Sequence, residues 1–152
     1  MIAVADAYLE SRVMTSSAER LHLMVVEAAL RFAQQGEEAL AERKFDRSHE
    51  ALNRSRACVN ELVMSIQPEQ NPELAERLKA LFLYVHRNLM LADLEHDPQK
   101  IRDAVRLLSM HRETWLELIE RLQTERPVAA AAVGVTASGY DRDEGSSMSW
   151  ES

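Results

Sequence analysis

A single cysteine, Cys58, rules out a disulfide within the 152-residue chain, so the fold does not call for an oxidising compartment. Glycine and proline number four each and aromatics make up 5% of the residues. That is too little turn chemistry and too few strand-forming side chains for a sandwich or barrel. No apolar run reaches the ~18–20 residues that cross a bilayer, so membrane insertion is not expected. The opening "MIAVADAYLESR" has no basic n-region and carries Asp6 early, which does not fit a signal peptide. Positive charge is also short: 18 Lys and Arg stand against 25 Asp and Glu, a net −7. A dedicated nucleic-acid or anionic-membrane surface needs the opposite balance. These absences leave an all-α protein, expected in the cytoplasm, with one domain and a tail.

Helical periodicity supplies four segments. The first starts at a capping box, in which Ser16 accepts from a backbone N–H three residues on and Glu19 reaches back to the Ser16 N–H. Its stripe is Leu21, Val25, Ala28, Phe32 and Ala39. The second takes Asp46 as N-cap and carries Leu52, Val59, Leu62, Val63 and Ile66. Asn71 and Pro72 cap and start the third, whose core face is Leu74, Leu78, Leu81, Phe82, Val85 and Leu89. Asp97 and Pro98 repeat the device for the fourth, with Ile101, Ala104, Val105, Leu108, Trp115, Ile119 and Leu122. Short connections make neighbouring helices antiparallel, so the expected architecture is an up-down-up-down four-helix bundle. It spans residues 16–125. Residues 1–15 form an apolar N-terminal arm, and the Ala-, Ser- and Gly-rich stretch 126–152 reads as a disordered tail.

Two helices are apolar on too many sides. A bundle helix needs one stripe and a polar back. In "TSSAERLHLMVVEAAL", Leu23, Val26 and Leu30 fall nearly opposite the Leu21–Val25–Ala28 stripe on a wheel of ~100° per residue. In the third helix, Ala80, Tyr84 and Leu91 line one flank, with Leu83, Met90 and Leu94 beyond. Three readings compete: a wide, skewed core, cover by the apolar arm, or a groove for an external partner.

Catalytic chemistry finds little footing. Di-iron bundles use Glu-x-x-His pairs that project inward from mid-helix. The pairs here, Glu19 with His22, Asp46 with His49 and Asp93 with His96, sit at caps or helix ends, so no metal, cofactor or catalytic residue is assigned. His86 and His111 share their faces with no nucleophile or paired carboxylate and read as partly buried polar residues. Cys58 reads as a small buried hydrophobe.

The order of motifs resembles the flagellar secretion chaperone family, FliS, over roughly residues 7–122. "AYLESRVMTSSAERLHLMVVEAALRF" is similar to that family's Ala-Tyr arm, Val-x-Thr cap and first helix. "KFDRSHEALNRSRACVNELVMSI" is similar to its second, "ELAERLKALFLYVHRNLMLADLEHD" to its third, and "AVRLLSMHRETWLELI" to its fourth, with Trp115 near the end. The chain departs from the family at Ser17-Ala18-Glu19-Arg20 and at Val26-Glu27-Ala28-Ala29. The resemblance implies a non-enzymatic cytoplasmic chaperone. Its client would be the C-terminal region of flagellin, kept from premature polymerisation and delivered to the flagellar export apparatus, with export gate components as further partners. Tyr8, Leu9 and Val13 would then be the movable arm. Wheel geometry, and not the family, nominates Leu23, Val26, Leu30, Tyr84, Arg87 and Leu91 as the partner-binding groove. The alternatives are an interaction module for another helical client or for a second copy, and a metal-dependent bundle enzyme.

Overall fold

A computed structural model describes the backbone of residues 18–147 and the side chains of residues 18–124. It consists of α1 (Ala18–Ala41), α2 (Phe45–Met64), α3 (Pro72–Glu95) and α4 (Pro98–Ser147), with no strand among the described residues. The chain gathers into two compact units, one ending at Leu116 and one beginning at Glu117. In the second unit α4 simply continues to Ser147. The Ala129–Ala132 run within this continuation has the highest helix propensity available.

The first unit is an antiparallel bundle, and its polar links show the directions. Along α1 and α4, Glu37 meets Arg102 and Glu27 meets Arg112, while the Glu19 carbonyl accepts from Trp115 Nε1 at 2.8 Å. Rising numbers on one helix pair with falling numbers on the other. Between α1 and α2, Ser55 Oγ donates to the Ala29 carbonyl at 2.7 Å, and Leu52 lies against Gly36. The last turn of α3 meets the first turns of α2 through His49 and Asp93.

Local chemistry explains two of the helix starts. Asn71 is extended and its side chain accepts from the Leu74 N–H at 3.2 Å, with Pro72 in the first turn. Asp97 accepts from the Gln99 N–H at 2.9 Å ahead of Pro98. Both satisfy backbone donors that the helix itself leaves unpaired. Asp46, however, is not an N-cap. The cap position is Lys44, which makes no side-chain cap bond, and Asp46 lies in the first turn. The cause is the tight α1–α2 turn: Arg43 is left-handed (φ 58), and the Lys44 N–H closes on the Ala39 carbonyl at 2.9 Å. Helix α2 thus starts at Phe45, two residues earlier than a cap at Asp46 allows. The Ser16 capping box lies outside the described residues.

The core corrects the reading of α1. Its buried residues are Val26, Ala29, Leu30, Ala33, Gly36, Ala39 and Leu40. Leu21 is exposed, and Val25, Ala28 and Phe32 are only half-buried. The buried face is the predicted stripe rotated by about one residue, because α2 packs on the small side chains. An added Cβ at Gly36 would lie 2.6 Å from Leu52 Cδ2, so any larger residue there would require Leu52 to shift. Elsewhere the predicted core holds better: Leu52, Val59 and Leu62 of α2, Phe82, Val85 and Leu89 of α3, and Ile101, Ala104 and Leu108 of α4 are fully or almost fully buried. Leu74 is the exception on α3, half exposed in its first turn.

Candidate protein-binding surface

The six nominated groove positions do not form one surface. Val26 and Leu30 belong to the same buried cluster as Ile101, Ala104 and Leu108 of α4. The Glu27–Arg112 and Glu37–Arg102 bridges run along that side of α1. The surplus on α1 is therefore absorbed by a second neighbour, as a wide core requires, and Val26 and Leu30 leave the groove assignment. Leu23 is half-buried. Tyr84 (54% exposed) and Arg87 stand on the surface of α3, and Leu91 is half-buried. Tyr8, Leu9 and Val13 lie outside the described residues.

Among the described residues, no second neighbour covers the other apolar side of α3. Its core row runs through Phe82, Val85, Leu89 and Ala92 at helical spacing. On the opposite side, Leu83, Met90 and Leu94 are exposed, Leu94 by 73%, and Tyr84 extends the patch sideways. Arg87 interrupts this row with a cation that makes no ion pair among the described residues. Of the exposed large hydrophobics among the described residues, five lie on α3, more than on any other helix. The patch has the spacing at which a partner helix places its anchors, three or four residues apart.

Polar groups elsewhere are engaged with one another. His49 Nδ1 lies 2.6 Å from Asp93 Oδ2, which also accepts from Arg56 Nη1 at 3.3 Å. His49 is thus turned to Asp93 across the α2–α3 contact, not to Asp46 in its own helix. The α1–α2 cleft is lined by Glu38, Glu42 and Glu50 and by Lys44, Arg47 and Arg54, with Lys44–Glu42 and Arg54–Glu50 already paired. Among the described residues no three His, Cys, Asp or Glu side chains converge as metal ligands do. Burial pushes the Cys58 thiol upward, toward the protonated form of an inert buried cysteine.

One cluster has no precedent in the sequence pattern. His22 and His111, 89 residues apart, meet Nε2 to Nε2 at 2.7 Å. Their rings pack edge to face, with Trp115 4.1 Å from the His22 ring and Phe82 5.1 Å from the His111 ring, centroid to centroid. Burial, then the neighbouring His111, pushes His22 down to about 4, and burial alone lowers His111. His111 is buried, as a polar core residue, but its partner is a histidine that sequence reading placed in a rejected metal pair.

Comparison with known proteins places this geometry. A family model described as flagellar protein FliS matches residues 1–122. The flagellar secretion chaperone FliS of Bacillus subtilis (strain 168) is 23% identical over 120 residues, covering 79% of this chain and 89% of that protein. Its counterpart in Campylobacter jejuni is 25% identical over 113 residues, covering 74% and 88%. A crystal structure of a flagellar chaperone from bacteria shares the fold, with a TM-score of 0.66 at 18% identity, over 79% of this chain and 98% of its own.

Proposed function

Because this chain belongs to the FliS family of flagellar secretion chaperones, a family of chaperones and not of enzymes, we propose that it binds the C-terminal region of flagellin in the cytoplasm. Bound there, the client is kept from polymerising early and is handed to the flagellar export apparatus, where export gate components are the next partners. The observation that carries this reading is the outward face of α3. Leu83, Tyr84, Met90 and Leu94 are exposed on a helix already packed into a core by its other side. An amphipathic client segment, disordered when free, would lay its apolar anchors along this row and place a carboxylate or a helix C-terminus at Arg87. The ordering cost limits the affinity per unit area, which suits a client that must later be released. Tyr84, Arg87, Leu91 and the half-buried Leu23 remain from the nominated groove. The apolar arm residues Tyr8, Leu9 and Val13 serve as its cover when no client is bound.

The test is co-expression with the cognate flagellin, full-length and lacking its C-terminal helical region, followed by size-exclusion chromatography. A 1:1 complex with the full-length client only, lost on Leu83→Ser with Leu94→Glu, supports the proposal. Equal co-elution of both flagellins, or an unaffected complex with the double variant, overturns it. A free protein that elutes as a stable dimer and is made monomeric by the same double variant would show instead that the face serves a second copy.

A further inference from the structure

We propose that the His22–His111 contact is a proton-sensitive latch that holds the first turns of α1 against α4. It is independent of the client reading, since it rests on geometry within the bundle. At 2.7 Å the two Nε2 atoms share one hydrogen, so one ring carries a proton there and the other presents a bare lone pair. A first added proton enters at the far nitrogen of the donor ring and leaves this bond intact. A second makes both Nε2 atoms donors facing each other with no acceptor, and the rings must part. The contact therefore tolerates one added proton and not two.

What moves with it is defined by the surrounding bonds. Trp115, packed at a tilt against His22, also donates its Nε1–H to the Glu19 carbonyl at 2.8 Å, so the indole clasps the first turn of α1 from the same side. Parting the imidazoles removes the surface on which the indole rests. The remainder of α1 is held separately, by Ser55 at the Ala29 carbonyl and by close packing at Gly36. Opening is thus confined to the turns around His22.

Charged and titratable groups also stand on the adjoining turns. Helix α1 carries Glu19, Arg20 and Glu27, and α4 carries Arg112 and Glu113. Helix α3 carries Lys79 and His86 on either side of Phe82, and α2 carries Glu61 at the matching level of the antiparallel register. Glu27 and Arg112 neutralise each other at 2.8 Å. Burial lowers both rings, and His111 lowers His22 further. His86 is lowered by burial and by Arg56, so it titrates as a separate site facing α2.

The sign follows from the lowered values. A histidine freed by opening takes a proton near 6.5, whereas His22 in the closed bundle takes one only near 4. Acid therefore favours the open form throughout that interval, and above it the latch is indifferent to pH. Between pH 7.5 and 5.5 the opening constant should rise about 10-fold from His22 alone, with His111 adding in the same direction.

Hydrogen exchange on the full chain, corrected for the intrinsic pH dependence of exchange, tests this. The amides of the first turns of α1 and the Trp115 indole N–H should lose at least 10-fold in protection across that range. In His22→Gln with His111→Gln, where an amide pair keeps one N–H···O bond, the response at α1 should vanish while amides near His86 keep theirs. A double variant with the wild-type response overturns the latch. The wild type alone gives a second check: the His22 imidazole resonance should titrate near pH 4 in the folded protein, and a midpoint near 6.5 overturns it equally.

Discussion

Helices α1 and α3 have the same length and the same apparent fault, apolar residues on two sides. The structure treats them differently. On α1 both sides are used: α2 packs on Ala29 and Gly36, and Val26 and Leu30 join the cluster shared with α4. On α3 one row enters the core and the other, Leu83, Met90 and Leu94, faces outward. A second apolar side is therefore not evidence of a binding surface until the neighbours have been counted. A bundle helix touches two others, and only the surplus beyond both marks a site.

Substitutions at the α1 side that faces α4 break this comparison most severely. Leu30→Glu places a carboxylate where only 8% of the residue is accessible. The uncompensated charge should destabilise the bundle by more than about 4 kcal/mol and abolish a cooperative urea transition. Leu30→Ala isolates the packing part, with an expected loss of ~2–5 kcal/mol in the same urea titration. Retained wild-type stability in either variant would show that this face is a surface after all, and would restore α1 to the binding site.

The α2 side of α1 gives an intermediate effect, because two terms oppose each other at Gly36. Alanine gains about 1 kcal/mol in helix propensity. Its Cβ would lie 2.6 Å from Leu52 Cδ2 and 2.8 Å from Leu52 Cγ, and Leu52 is fully buried, so overpacking of ~1–3 kcal/mol is expected. Gly36→Ala should thus be destabilising by roughly 1 kcal/mol net once propensity is subtracted. Leu52→Ala should relieve the clash, so the two changes together should cost less than the sum of each alone in a double-mutant cycle. Strict additivity would mean that the close approach is not what fixes the rotation of α1.

That rotation is also where the sequence is least legible. The core of α2, α3 and α4 can be read from spacing because one side of each helix is plainly the most apolar: Leu52, Val59 and Leu62, then Phe82, Val85 and Leu89, then Ile101 and Leu108. The caps at Asn71 and Asp97 can be read for the same local reason, since their side chains act within three residues. On α1 large hydrophobics point both ways, and the decision falls to Ala29, Ala33 and Gly36, whose contribution is the space they leave for α2. Small residues carry little weight on a hydrophobic wheel, so the predicted stripe is turned by about one residue. The Asp46 cap fails because a left-handed Arg43, which no composition rule anticipates, sets where α2 begins. The His22–His111 pair is a tertiary contact across 89 residues with no local signature.

The smallest effect on stability is expected on the outward side of α3, and there the comparison can be sharpened. Leu94 is 73% exposed and Leu83 is 49% exposed, so replacing them with glutamate removes little buried area and introduces charges that water still solvates. Changes of this kind usually fall within about 0.5 kcal/mol. Leu83→Glu and Leu94→Glu should therefore keep the thermal midpoint and helicity of the wild type, while either alone should weaken capture of a flagellin C-terminal peptide by roughly 10-fold, about 1.4 kcal/mol. The pairing of the two measurements is what discriminates. Lost binding with retained stability assigns the row to a partner, and lost stability would place it in a contact that the bundle itself needs. Retained binding with retained stability would leave α3's surplus as solvated surface, and would move the client to the half-buried residues beside it, Leu91 first.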